Sequence, residues 1–347
     1  MNALYSLLIV FGLVLIPLFG VEAAHMDQFF GASFPYLAFF AFVVLFILKV
    51  LNWGKSPVPF RIPTTAGQFQ SFDQETFKQN KLDCPQTGAQ TFFRMAFEVL
   101  TFRSLFRNTE ASLHQTKGGP VVAYNSAKWL WLAAILFHYS FLIIALRHLR
   151  FFLEPIPFFV DALEFMDGLF QIGSPTLYMT DALLVGSLLF LAFRRLADSK
   201  VNYFSYVSDF FPLFLLLGIA LSGIYMRYFV QVDIIAVKQL TMGLMTFSYV
   251  IPESVNVSLY VHIFLVCVLL IYFPFSKLMH FPGVFLSPTR NLPNDSRAKH
   301  HVNPWNDPAI KPHTYADYEK EFGVPMAEAG LPLDDPANGE APAEEKA

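Results

Sequence analysis

Long apolar runs separated by polar connections set the pattern of this chain. A membrane-spanning helix takes about 20 mostly apolar residues at about 1.5 Å rise each. Six stretches meet that requirement: residues 1–21, 28–48, 129–146, 173–193, 210–226 and 254–276. The first two carry no charge, the second ending at Lys49; the third holds His138, the fourth Asp181 and the sixth His262. Lipid offers no partner to backbone N–H and C=O groups, so each stretch is expected to be a helix. The first stretch has the length of a signal peptide ending near Val21-Glu22-Ala23, but it lacks a basic leader and is taken as a retained helix.

Charge is confined to the connections and sorted by side. Residues 52–126 carry eight Lys and Arg, among them Arg94, Arg103 and Arg107, and the turn after the fourth stretch opens with Arg194-Arg195. The intervening connections hold one basic residue at most, whereas 150–174 carries Glu154, Asp161, Glu164 and Asp167. The positive-inside rule then puts both termini in the cytoplasm and the protein in the cytoplasmic membrane. The expected organisation is two N-terminal spans (1–52), a cytoplasmic loop with an amphipathic helix at 92–107 (53–126), a four-helix core (127–280) and a cytoplasmic tail (281–347) disordered toward its acidic end.

Composition agrees. Of 347 residues 54% are hydrophobic and 40 are Phe, more than a soluble core of this size could bury. A formal net charge of −3 gives no footprint for nucleic acid. Two cysteines, Cys84 in the loop and Cys267 in a span, are too few for a four-thiolate cluster or a cysteine-only zinc site. The fold class is all-α, a polytopic bundle of six transmembrane helices.

The chemistry lies in four histidines at the third and sixth spans. His138 and His148 are ten residues apart; His262 and His280 are eighteen apart, five full turns and so one face of a helix. The two helices run antiparallel, which sets His148 with His262 toward the outer surface and His138 with His280 toward the cytoplasm. Facing imidazole pairs at two depths suit two six-coordinate haem irons. The steps do not match, about 27 Å against about 15 Å if both are straight helix. Pro274, six residues before His280, is placed to break the second helix and shorten its step.

This spacing resembles that of the cytochrome b subunit of respiratory nitrate reductase. The loop FEVLTFRSLFR at 97–107, and the tail GVFLSPTRN at 283–291 followed by HVNPW at 301–305, are similar to the cytochrome b membrane subunits of DsrMKJOP complexes and, more distantly, to the membrane subunit of heterodisulfide reductase. The resemblance implies two b-type haems, one ligated by His148 and His262 and the other by His138 and His280. It also implies exchange of electrons with a quinone and a cytoplasmic DsrK-like iron–sulfur subunit, beside the other subunits of a DsrMKJOP-like complex of dissimilatory sulfur metabolism. Such a chain is an electron-transfer subunit of an oxidoreductase.

Quinone is expected beside the outer pair, where Arg147, Arg150, Asp161, Glu164, Asp167 and Asp181 are the polar candidates; of these, Arg147, Arg150 and Asp181 are expected to bind cofactor. Arg147 and Arg150 also suit haem propionates. Gly186, Gly218 and Gly223 are candidates for making room for a macrocycle. Two other classes fit the apolar pattern: a transporter relaying protons through its histidines, against which the lack of inverted repeats counts, and a haem-free membrane anchor.

Overall fold

A computed structural model describes residues 1–56, 80–168, 175–287, 290–293 and 311–340. The helices through Leu286 belong to one compact unit and residues 311–340 to a second. The HVNPW segment, the last acidic residues and the first residues of the expected fourth span lie outside the described residues.

The apolar runs fold as helices. In chain order they are α1 (Asn2–Glu22) and α2 (Phe34–Gly54), the latter continuing a π-helical turn at Phe29–Ser33. After the polar segment come α3 (Gly88–Thr101), α4 (Arg103–Phe106), a hairpin of β1 (Thr109–Thr116) and β2 (Gly119–Ser126), and α5 (Lys128–Arg147), which tightens into a 3-10 turn at His148–Phe151. Then follow α6 (Phe158–Asp167), α7 (Met179–Ala197), α8 (Ser199–Tyr203) and α9 (Val207–Tyr225), which opens into a π-helix at Met226–Val230. The unit closes with α10 (Ile234–Met245), α11 (Val257–Tyr272) and α12 (His280–Leu286); α13 (Tyr315–Glu328) belongs to the second unit.

Among the described residues five helical stretches are long and apolar enough to cross a membrane: Asn2–Glu22, Phe29–Gly54, Lys128–Phe151, Val207–Val230 and Val257–Phe275. Six were expected. The remaining candidate is α7, 19 residues long, which carries Asp181 in its first turn and Arg194 and Arg195 in its last. α2 leaves Leu37, Phe40, Val44 and Ile47 more than half exposed, a surface that suits lipid and not water.

Inside the unit, α1 packs on α9 and α11, α2 on α11, and α7 on both α5 and α9. Val10, Leu215, Val261 and Leu265 form the α1–α9–α11 core; Leu184, Leu188 and Leu216 join α7 to α9, with Phe137 of α5 and Leu269 of α11 against them. Gly218 serves this packing, since a Cβ there would stand 3.3 Å from Val10 Cγ1. The helices α5 and α11, which bear His138 and His262 and lead into His148 and His280, are not among the closely packed pairs.

Three segments depart from expectation. The class is not purely all-α: residues 109–126 form an antiparallel hairpin turning at Lys117-Gly118, with Gly119 at φ 110°, a conformation that disfavours any side chain. The expected amphipathic helix is broken at Phe102, whose φ of 51° separates α3 from α4. Within the tail, the described residues 311–340 hold α13 and a 3-10 turn at Pro336–Gly339. Thr314 caps α13 by accepting from Asp317 N, and Glu319, 1% exposed, accepts from the backbone N–H groups of Asp334 and Asp335. An inward carboxylate binding backbone N–H groups replaces the apolar stripe that marks most helices.

An ion-pair cluster ties the loop helices together. Asp83 receives Arg103 Nη1 at 2.6 Å and Arg107 Nη1 at 2.7 Å. These hydrogen bonds, Arg103's first, outweigh partial desolvation and hold the Asp83 carboxyl down at about 2. A depressed carboxyl contributes stability above its unfolded value, near 3.9, and loses it as pH falls toward the folded value. Amide protection across residues 80–107 is therefore expected to drop between about pH 4 and pH 2, and Asp83→Asn should give the same loss at neutral pH, both read by hydrogen exchange.

Candidate functional site

Four histidines from α5, α11 and their flanking turns meet in two pairs. The rings of His148 and His262 lie 6.3 Å apart between centroids, and those of His138 and His280 lie 5.9 Å apart. An imidazole nitrogen binds a metal at about 2 Å and the ring centre lies about 1.2 Å behind it, so two rings sharing one ion stand about 6.4 Å apart. Both separations fit one shared ion.

The pairing depends on a break in α11. The helix ends at Tyr272, a 3-10 turn spans Phe273–Phe275 with Pro274 buried, and Ser276 is extended at φ −103°, ψ 171°. A second 3-10 turn, Lys277–Met279, then leads into α12 at His280. Proline lacks the N–H that an uninterrupted helix would need here. The straight eighteen-residue step is never made, and His280 comes level with His138.

Each imidazole has one nitrogen engaged. Nδ1 of His138 lies 2.7 Å from Ala134 O, that of His148 2.7 Å from Ile144 O, and that of His280 2.9 Å from Lys277 O. Carbonyls only accept, so these Nδ1 atoms carry the proton. His262 Nδ1 lies 2.9 Å from Ser222 Oγ, whose own hydrogen goes to Ile219 O, which leaves the hydroxyl to accept. All four Nε2 atoms thus keep a lone pair, and none has a hydrogen-bond partner among the described residues. A second partner that fixes the tautomer and orients the ring is characteristic of metal-ligating histidine.

The surroundings suit a flat group between the helices. Gly223 faces the His262 ring, where a Cβ would stand 3.4 Å from Cε1; Gly186 opens onto free space. Phe102 lies edge-on to His138 at 4.9 Å, so the break between α3 and α4 places its ring against this pair. Among the described residues no three His, Cys, Asp or Glu converge as a metal-binding group. Among the described residues the two pairs are what is offered to a metal, and their spacing fits haem. Cys84 and Cys267 are both buried and form no disulfide.

Beside His148 lies a buried charge cluster. Arg147 is paired with Asp167 and stands 3.6 Å from Asp181 Oδ1; Arg150 is paired with Glu164. Asp167 also accepts from Thr180 N at 2.9 Å and Thr180 Oγ1 at 2.6 Å. Asp181 Oδ2 accepts from Tyr228 OH at 2.8 Å. The structure therefore brings Arg147, Asp167 and Asp181 together and sets Arg150 with Glu164; Asp161 lies in the first turn of α6. Sequence reasoning missed Tyr178, Thr180, Ser222, Arg227 and Tyr228. Arg227-Tyr228, a polar dipeptide four residues beyond Gly223 at the end of an apolar run, was the available signal.

Residues 97–294, which include all these groups, match the nitrate reductase gamma subunit family. The chain is 46% identical over 289 residues to the Hdr-like menaquinol oxidoreductase cytochrome b-like subunit of Archaeoglobus fulgidus, covering 82% of this chain and 85% of that one. It is 42% identical over 280 residues to the subunit of the same name in Archaeoglobus profundus, covering 79% and 82%.

Removing one partner of a buried ion pair strands the other, at a cost of about 3–5 kcal/mol. Asp167→Ala should therefore lower the unfolding stability of the solubilised protein by about that much. The double variant Arg147→Met, Asp167→Leu should recover a substantial part of it, as a thermal double-mutant cycle would read.

Proposed function

The chain belongs to the nitrate reductase gamma subunit family, and we propose that it is the dihaem cytochrome b subunit of a menaquinol oxidoreductase. In this role it carries electrons between a membrane quinone and an iron–sulfur partner on the cytoplasmic side. One observation carries the reading: two histidine pairs, each at the separation of two imidazoles on one ion, each with Nδ1 committed and Nε2 free. The relatives' names, cytochrome b-like and menaquinol oxidoreductase, support the same chemistry.

Haem, when bound, supplies one-electron storage; the remaining functions fall to this chain's own residues. His148 and His262 would hold one haem iron, and His138 and His280 the other. The carbonyls of Ala134, Ile144 and Lys277 and the Ser222 hydroxyl hold the rings and raise their basicity. Leu184, Leu188 and Leu216 keep water out of the space between α7 and α9. Asp181, held by Tyr228, is the carboxylate proposed to take a proton from a quinol hydroxyl, and with Arg147 and Arg150 it forms the polar wall of the quinone site.

α7 completes a six-span bundle in this reading. Its charges sit at its two ends, where Asp181 is held by Tyr228, and Arg195 by Ser205 Oγ at 2.9 Å and Asp209 at 4.0 Å. The bias of Lys and Arg puts both termini in the cytoplasm and the His138–His280 pair toward the soluble partner. The likeness of residues 97–107, 283–291 and 301–305 to DsrMKJOP cytochrome b subunits supports a place in dissimilatory sulfur metabolism with a DsrK-like partner.

His148→Ala or His262→Ala should each remove one haem and spare the other, as read by the reduced b-type absorbance per chain. Equal loss of both haems from a folded protein would contradict the pairing. Spectra should also tell the two sites apart. The ring planes differ by 10° at His148–His262 and by 85° at His138–His280. Near-parallel ligand planes separate the iron dπ orbitals and perpendicular planes leave them nearly degenerate, so the wild-type protein should show two unlike low-spin ferric EPR signals.

A further inference from the structure

Two of the three arginines at this end of the bundle already have carboxylate partners, Arg147 with Asp167 and Asp181, and Arg150 with Glu164. The third, Arg227, has none among the described residues. It sits in the π-helix that ends α9, within the membrane-crossing stretch Val207–Val230. Its guanidinium lies 4.1 Å from the centre of the Tyr178 ring and 5.6 Å from that of Tyr228. Nη2 donates to Thr176 O at 3.2 Å, while Nε is buried with no acceptor among the described residues. No carboxylate oxygen lies within 4.0 Å of it among the described residues. Asp181, the nearby acid, is engaged by Tyr228 and faces Arg147.

The three arginines and the three carboxylates, Asp167, Asp181 and Glu164, balance in number, so what Arg227 lacks is an acceptor, not a counter-charge. A buried N–H left without an acceptor is uncommon in folded proteins and points to a group that fills the place. The guanidinium fork matches a carboxylate better than any other oxygen acceptor. Position narrows the source. Gly223, about one turn earlier on the same helix, is where a Cβ would press on the His262 ring. Arg227 therefore stands one turn beyond the surface that faces this histidine pair. π-Helical turns recur where a helix re-aims a side chain at a functional site.

We infer that Arg227 receives a carboxylate of the group held by His148 and His262, which for haem is a propionate. The inference rests on the dihaem reading and deepens it. It also reassigns the propionate contact that the sequence suggests for Arg147 and Arg150, both of which are occupied. A cation beside this carboxylate favours the reduced iron, so its removal lowers the potential of this site alone.

The test is an optical redox titration of the full chain in its native membrane complex, as wild type, Arg227→Met and Arg227→Lys. Arg227→Met should keep two haems, lower the midpoint potential of the His148–His262 site and leave the other unmoved, while Arg227→Lys should hold the first near its wild-type value. Selective loss of that one haem in Arg227→Met, restored in Arg227→Lys, would support the inference equally. Two haems with both potentials unmoved would overturn the inference, as would a change confined to the KM for quinol, which would make Arg227 a quinone contact. Loss of both haems alike would overturn it too. A wild-type chain without haem would instead overturn the dihaem reading, a distinguishable result.

Discussion

A polar group in a lipid-embedded bundle must find a partner within the protein, because hydrocarbon supplies none. That constraint organises this chain. Imidazole has two ring nitrogens to satisfy, and the fold satisfies one of each pair with a carbonyl or a serine hydroxyl. The unspent Nε2 atoms lie two to a pair, and in the proposed reading each facing pair would share one ion. Around α5 and α11, α7 packs on α5 and on α9, α9 packs on α11, and α1 and α2 buttress α11.

The same accounting explains the polar end near His148. Arg147 and Asp167 neutralise one another, Thr180 completes the aspartate, and Tyr228 covers Asp181. Each satisfied pair is structure first, and it fixes the end of α5 from which His148 projects. Arg227 differs because the fold supplies its guanidinium with ring faces and a carbonyl, yet leaves Nε without an acceptor among the described residues.

Much of this was legible in the sequence, for physical reasons. Apolar runs of bilayer length can hardly be anything but helices, and His138, His148, His262 and His280 stood out because an ionisable residue at a span is rare. Pro274 marked the break that brings His280 into register. What was not legible depended on partners far away in sequence. Arg227 meets Thr176 across 51 residues, and Ser222 meets His262 across 40. The hairpin at 109–126 hid because its strands alternate weakly, with Leu113 isolated among Ser112, His114 and Gln115 and with Val121 and Val122 adjacent; the two-residue turn at Lys117-Gly118 was its clearest mark. α13 hid because its inward residue is Glu319, a carboxylate that binds backbone N–H groups. α7 was legible as an apolar run, but its terminal charges set it apart from the five clearest spans.

The central claim is that each facing histidine pair holds one haem, two per chain. The most direct measurement is the haem-to-chain ratio of the purified wild-type protein, taken as its pyridine haemochrome with protein quantified independently. The account predicts two b-type haems per chain. A ratio of one, or none, in folded protein recovered from haem-replete cells would contradict it.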